Sequence, residues 1–359
     1  MRRPRAGDSD VNRLTIATTA TALPMGAQVY EREISARAAG ALAATGQDWL
    51  VDEVVTRSLR SRLPGNRRIP VGSLERGSTG FRRAVGRIIY PRSALVHRMS
   101  LTLPPAPHEV VTLHDTVAWR FSDEGIPVAA ARDELRAAAA VICVSASTAA
   151  DAVQLFGLDN VRVVHLGVDD RFRAARPHDS VTLAGWGIPG RYLLHTGGAS
   201  ERKNLTALAD AWREIAPRHP DITLVLAGPE HPRRSELFRG LPRVALLGRI
   251  ADDLIPGLVA GAEAVVIPSL HEGFGLPLLE ALAAGTVAVA ADTSSLPEVA
   301  GGAAVLVAPT GAGIASGIAA VLDGDVDLAA LVAAGRSRAA EFTWERSAAE
   351  HAAIWNAEA

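Results

Sequence analysis

Short apolar runs recur along this chain at strand length, separated by stretches of helical periodicity, and this alternation restricts the fold more than any other feature. The runs are Leu14–Thr18, Val110–Leu113, Val141–Val144 and Val161–Val164, then Tyr192–His195, Thr223–Ala227, Val244–Leu247, Ala264–Ile267, Val287–Ala290 and Ala304–Val307. A strand covered on both faces reads as a continuous apolar run, as parallel strands do. Helices are expected over Ala27–Ala44, Arg132–Ala139, Asn204–Ile215, Pro277–Ala284 and Ile314–Leu322. The alternation predicts an α/β chain of doubly wound parallel sheets. At 359 residues and 48% apolar content the chain exceeds a single core and fits two domains. The polar stretch Asp169–Pro189, with Pro177, Gly185 and Gly187, is the expected linker region. The expected division is a tail over 1–13, a first domain over 14–175, a linker over 176–189, a second domain over 190–343 and a terminal helix over 344–359.

Composition narrows the function classes. A formal net charge of −2 gives no reason to expect a nucleic-acid partner. The single cysteine, Cys143, excludes an intrachain disulfide and fits a reducing cytoplasm. No run reaches the length of a membrane span. The opening MRRPRAGDSDVNR has charges but no apolar core after them, so it reads as a disordered tail rather than a secretory signal. The span Arg57–Arg98 holds eleven arginines and one acid, Glu75, and its segment Gly80–Tyr90 suits a short basic amphipathic helix. Two readings stay open for it: contact with an anionic membrane at its inner face, or a solvated arginine-rich surface.

Chemistry concentrates in His271–Glu280, HEGFGLPLLE. Gly273 and Gly275 let backbone approach a ligand closely, and Pro277 suits a first helical turn. Glu272 then lies on the loop and Glu280 about a turn into the helix. Two carboxylates there suit hydroxyl groups of a sugar and a ribose, while amides and the helix dipole face an anion. The chain has one lysine, Lys203, inside the loop Gly197–Asn204, GGASERKN. A compact ammonium suits a diphosphate. Gly197 and Gly198 follow an expected strand, so their open amides are candidates for an anion nest, with Arg202 and Asn204 completing the motif. His114 and Asp115 end another strand. His165, His195 and His271 show no metal-ligand spacing and are expected to be structural.

Together these residues resemble the retaining glycosyltransferases of the GT-B fold, in the large family called GT4 or glycosyl transferases group 1. Glu272 and Glu280 match its E-x7-E signature. Leu282–Gly285 with Val287–Ala290, Leu296–Val299, Gly301–Ala304, GGASERKN, Val144-Ser145 and His165–Asp169 match flanking family segments. The resemblance covers roughly residues 140–310. It implies two Rossmann-like domains facing a cleft, an acceptor-binding first domain, a second domain for a nucleotide-diphosphate sugar, and a last helix crossing back to the first. It assigns catalytic roles to Glu272, His114 and Lys203. It places substrate contacts at Gly26, Asp115, Gly197, Gly198, Arg202, Asn204, Arg249, Ile250, Gly273, Phe274, Gly275, Leu276 and Glu280, with Glu280 on the ribose and Gly248–Ile250 near the base. No Asp-x-Asp lies among these motifs, so no metal or other cofactor is expected, and Lys203, amides and dipoles would neutralise the diphosphate. The RKN form of the loop points to GDP-mannose or another hexose donor and a glycan or lipid-linked acceptor. Two departures stand out. Gly26 alone occupies a loop that often carries two glycines, and Gly197-Gly198 stand where relatives often carry an arginine. A phosphorylase or epimerase on the same fold, or a non-catalytic nucleotide-sugar-binding protein, are the alternatives.

Overall fold

The computed structural model describes residues 11–21 and 26–359. The chain forms two compact units, one made of the segment up to Gly167 together with Trp344–Ala359, the other of Val168–Thr343. Each holds one parallel sheet, which gives the expected pair of doubly wound Rossmann-like units. Among the described residues no helix is long and apolar enough to cross a membrane.

The first unit contains β1 (Asn12–Thr19), β2 (Trp49–Ser58), β3 (Arg67–Ile69), β4 (Leu95–Arg98), β5 (Glu109–Leu113), β6 (Ala140–Cys143) and β7 (Val161–Val163). They are ordered β3-β2-β1-β4-β5-β6-β7, every neighbouring pair parallel. β1 begins at Asn12, so Asn12 and Arg13 belong to the sheet and not to a tail; residues 1–10 lie outside the described residues. Cys143 is buried in β6, where burial pushes its thiol up to about 12, as befits a structural side chain.

The basic span Arg57–Arg98 differs from the expectation of a surface segment. It supplies the end of β2, then β3, the helix Thr79–Ile89 and β4. Arg82 and Arg98 are fully buried. Arg82 Nε meets Glu134 Oε1 at 2.5 Å, and Arg98 bridges Glu134 at 2.8 Å and Glu109 at 2.9 Å. Arg82 Nη1 donates to the Leu74 carbonyl, and Nη2 to the carbonyls of Leu101 and Leu103 and to Glu134 Oε2. Two of the eleven arginines are therefore internal ties, tolerated in the interior because carboxylates balance their charge, although Arg98 Nε has no partner.

A directed hydrogen-bond chain secures the terminal helix Trp344–Ala357 within the first unit. The Trp355 indole can only donate, so His97 Nδ1 accepts it at 3.2 Å and His97 Nε2 carries the ring hydrogen. That hydrogen reaches Thr112 Oγ1 at 2.8 Å, whose hydroxyl turns to Tyr30 Oη at 2.8 Å. Tyr30 then donates to His351 Nε2 at 2.6 Å, and His351 Nδ1 donates to the Ser347 carbonyl at 2.7 Å. Burial drives both histidines below their ordinary range, His351 to about 4, so both are neutral at neutral pH.

The second unit contains β8 (Tyr192–Thr196), β9 (Thr223–Ala227), β10 (Val244–Gly248), β11 (Ala264–Ile267), β12 (Ala288–Ala291) and β13 (Val305–Val307). Their order is β10-β9-β8-β11-β12-β13, again parallel. The helix Leu205–Arg218 covers one face through Leu205, Leu208, Trp212 and Ile215, and the Trp212 indole donates to the Pro242 carbonyl at 2.8 Å. The stretch 168–189 packs with this unit instead of forming a free linker. Val168 N–H donates to the Phe342 carbonyl, Arg173 to the Ala339 carbonyl and His178 to the Leu254 carbonyl, and Ser180–Gly185 is helical. Strand order reverses at β8, which pairs with β9 on one side and β11 on the other. In open sheets a ligand crevice lies at the carboxyl ends of strands at such a point.

Candidate functional site

The loops leaving β8 and β11 meet at that reversal. The β8 loop runs Gly197–Ser200, tightens into a 3-10 turn at Glu201–Lys203 and enters the helix at Leu205. Asn204 joins turn to helix with φ +53°, a left-handed conformation asparagine tolerates. Its amide nitrogen lies 3.0 Å from the carbonyls of both Pro268 and Pro309. Asn204 thus fastens the lysine loop to the end of β11. The Leu270 N–H adds a bond to the Arg202 carbonyl at 2.7 Å.

Those ties bring Lys203, Arg202 and Glu272 together. Lys203 Nζ lies 2.6 Å from Glu272 Oε1, and Arg202 Nη1 lies 2.8 Å from Glu272 Oε2. Ser269 Oγ donates to Oε1 at 2.7 Å. Lys203 and Glu272 are 8% and 6% exposed, so this is a nearly dry pair. Burial opposes the negative charge, but the Lys203 and Arg202 cations, with hydrogen bonds from Lys203 and Ser269, hold the Glu272 carboxyl at about 2. Glu272 is therefore ionised at neutral pH. Glu272 is the sole side-chain partner of Lys203 among the described residues, which leaves ammonium hydrogens for a further anion.

A serine pair that the sequence reading missed holds the Glu272 loop. Ser294, with φ +49°, accepts the Glu272 N–H at 2.9 Å, and Ser295 Oγ lies 2.9 Å from the carbonyls of Glu272 and Phe274. Thr293 Oγ1 donates to the Ser269 carbonyl at 2.8 Å. Gly275 caps the helix Leu276–Ala284 at φ +98°, and a Cβ there would stand 2.8 Å from Leu296 Cδ2. The Phe274 ring is buried and packs edge-on against Phe342, so only its backbone is offered to a ligand. Glu280 sits on the next turn of that helix, half-buried. Burial lifts its carboxyl to about 7, with Asp169 and Asp252 raising it further and Arg171 opposing. Among the described residues no hydrogen bond or ion pair joins Glu280 to the Lys203–Glu272 pair; Glu272 and Glu280 lie on successive parts of one loop-helix element.

Three glycines finish β8, β9 and β10. Gly197, Gly228 and Gly248 all have positive φ, at +145°, +149° and +66°. Gly197 N–H donates to the Ala227 carbonyl and Gly228 N–H to the Gly248 carbonyl. A Cβ at Gly228 would fall 1.9 Å from the Gly197 carbonyl oxygen. Gly228→Ala is expected to cost roughly 3 kcal/mol by combined backbone strain and overpacking, read as a lowered Tm. An unchanged Tm would contradict this packing. Arg249 is exposed and Ile250 half-buried beyond Gly248. His195, expected to be structural, is buried with Nδ1 bonded to the Val266 carbonyl at 3.0 Å, and burial pushes it down to about 4.

In the first unit His114 ends β5 and lies half-buried against Tyr30, ring centroids 4.9 Å apart and edge-on. His114 Nε2 donates to the Met99 carbonyl at 3.0 Å, and burial lowers its basicity despite Asp115 and that carbonyl. The neutral ring thus keeps Nδ1 as a hydrogen-bond acceptor. Asp115 Oδ1 accepts the Val117 N–H at 3.2 Å, a turn-forming contact. Gly26 is exposed at the start of the helix Gly26–Ala43; most of the loop before it, residues 22–25, lies outside the described residues.

The family model for Glycosyl transferases group 1 matches residues 190–324. The O-antigen chain mannosyltransferase B of Escherichia coli is 33% identical over 165 residues, 43% of this chain and 42% of that protein. The GDP-mannose-dependent alpha-(1-6)-phosphatidylinositol dimannoside mannosyltransferase of Mycobacterium tuberculosis is 35% identical over 205 residues, 54% of this chain and 51% of that protein. The chain thus spans about half the length of the curated relatives it matches. Among solved structures, Anabaena HepE in complex with UDP and glucose superposes with a TM-score of 0.71 at 19% identity, covering 96% of this chain and 99% of that one. That likeness, with the two parallel-sheet units, identifies the architecture as GT-B.

Proposed function

We propose, from the match of residues 190–324 to the model for Glycosyl transferases group 1, that this chain transfers a sugar from a nucleotide-diphosphate donor to a glycan or lipid-linked acceptor. The observation that carries the reading is the buried Lys203–Glu272–Arg202 cluster at the switch point of the second sheet. Lys203 keeps ammonium hydrogens for the diphosphate. Glu272, ionised and rigidly held, accepts hydrogen bonds from sugar hydroxyls and opposes positive charge growing at the anomeric carbon. Amides of Gly275 and Leu276 face the same ligand at the start of a helix. Charge on the departing diphosphate is stabilised by these cations and dipoles without a metal ion, and the protein's contribution is positioning and electrostatics. We assign a retaining outcome, in which the acceptor attacks on the face the diphosphate leaves and the departing phosphate assists proton removal. The GDP-mannose-dependent relative of Mycobacterium tuberculosis favours GDP-mannose as the donor. Product analysis of the anomeric configuration, with and without EDTA, tests both points; an inverted product or a chelator-sensitive rate would overturn them.

Glu280 supplies a pH dependence. A ribose needs the ionised carboxylate as acceptor, and the free protein holds Glu280 at about 7. Nucleotide affinity should rise about tenfold from about pH 6 to about pH 8, as the carboxyl loses its proton. Glu280→Gln should flatten the profile. An equally steep profile in that variant would remove Glu280 from the ribose site.

A lipid-linked acceptor would bring the first unit to an anionic membrane. The helix Thr79–Ile89 exposes Phe81 at 42% and Ile88 at 82%, beside exposed Arg83 and Arg87. Apolar side chains between arginines suit an interface between headgroups and acyl chains. Co-sedimentation with anionic vesicles should exceed that with neutral ones; no preference would leave these arginines as a solvated face.

A further inference from the structure

Arg234 is a buried cation without an acid. It is 2% exposed, yet no carboxylate pairs with it among the described residues. Its Nη2 donates to the carbonyls of Gly197 and Gly198, the second at 3.0 Å, and Nη1 to the Pro229 carbonyl at 2.9 Å. Its Nε is buried and unpartnered. Burying a guanidinium this way is costly unless something balances the charge.

The two carbonyls it grips are consecutive. In a trans peptide the C=O and the following N–H point in opposite directions. With the Gly197 and Gly198 oxygens turned to Arg234, the N–H groups of Gly198 and Ala199 point away from it, side by side. No acceptor takes either N–H among the described residues. Lys203 Nζ lies at the same loop, 3.7 Å from where a Cβ on Gly197 would stand. A bound diphosphate would supply the counter-charge that Arg234 lacks among the described residues.

We propose that Arg234 is a positioning residue for the donor diphosphate. It holds the Gly197 and Gly198 carbonyls from behind, presents the Gly198 and Ala199 amides to phosphate oxygens, and has the ligand as its counter-charge. The inference rests on the donor reading above. A guanidinium behind a peptide also polarises it, strengthening the N–H on the far side.

The test is calorimetric titration of GDP, UDP and their monophosphates into wild type, Arg234→Met and Arg234→Lys, with Tm recorded for each. For whichever diphosphate wild type binds, Arg234→Met should weaken affinity about 10- to 100-fold, the size of a lost charged contact. Binding of the matching monophosphate should fall much less. Arg234→Lys, which keeps charge but loses the fork, should lie between. Should the methionine variant fail to fold, the lysine variant carries the test by the same selective loss. Unchanged diphosphate affinity, or an equal loss for both nucleotides, overturns the role of Arg234. Failure of wild type to bind either diphosphate overturns the donor reading itself, and this inference with it.

Discussion

Lys203→Ala is expected to lower sugar transfer by about 10²- to 10³-fold, the usual loss when one preorganised group facing transition-state charge is removed. Both donor affinity and turnover should fall, since the ammonium serves the diphosphate before and during departure. The substitution also strips Glu272 of its nearest cation, and a buried carboxylate left short of partners costs about 3 kcal/mol. That confound can be separated. Glu272 is depressed from 4.5 to about 2, so its contribution to stability is present above 4.5 and lost as pH falls from there towards 2. In Lys203→Ala this loss should begin at higher pH. The double variant Lys203→Ala/Glu272→Gln should recover much of the stability but none of the diphosphate affinity. Recovery of affinity in the double variant would mean that Lys203 exists to neutralise Glu272, not to bind a ligand.

Glu272→Gln should act in the opposite sense on binding. An amide preserves shape while freeing Lys203 and Arg202 from their carboxylate, so diphosphate affinity should stay level or rise. Turnover should drop by about 10²-fold, because a neutral amide cannot oppose positive charge at the anomeric carbon. A fall in affinity with turnover preserved would place Glu272 in ground-state binding alone. Turnover within a few-fold of wild type would remove it from the chemistry.

Legibility of this chain followed how each residue is satisfied. β5, β6, β9 and β11 are covered on both faces by helices or neighbours, so their cores read as unbroken apolar runs. β2 carries Asp52 and Glu53 near the sheet edge, and only Val54 and Thr56 are buried, so no period stood out. β4 hid for another reason. His97 and Arg98 look like surface residues, but Thr112 and Trp355 bond the one and Glu109 and Glu134 pair with the other inside the core. Arg82 misled in the same way, since its partner Glu134 lies 52 residues away. In the second unit, Lys203 and Glu272 stood out because each sits in a compact local motif. Ser294, Ser295 and Arg234 did not, for their roles arise from folding distant loops together. The glycine ending each of β8, β9 and β10 was the one available signal for that convergence.

The most direct measurement is titration of GDP and UDP, and their hexose conjugates, into the intact chain and into Lys203→Ala. The account predicts that at least one diphosphate nucleotide binds wild type at a single site and that this binding is lost when the only ammonium side chain is removed. Equal binding by the two proteins, or no binding by wild type, would contradict it.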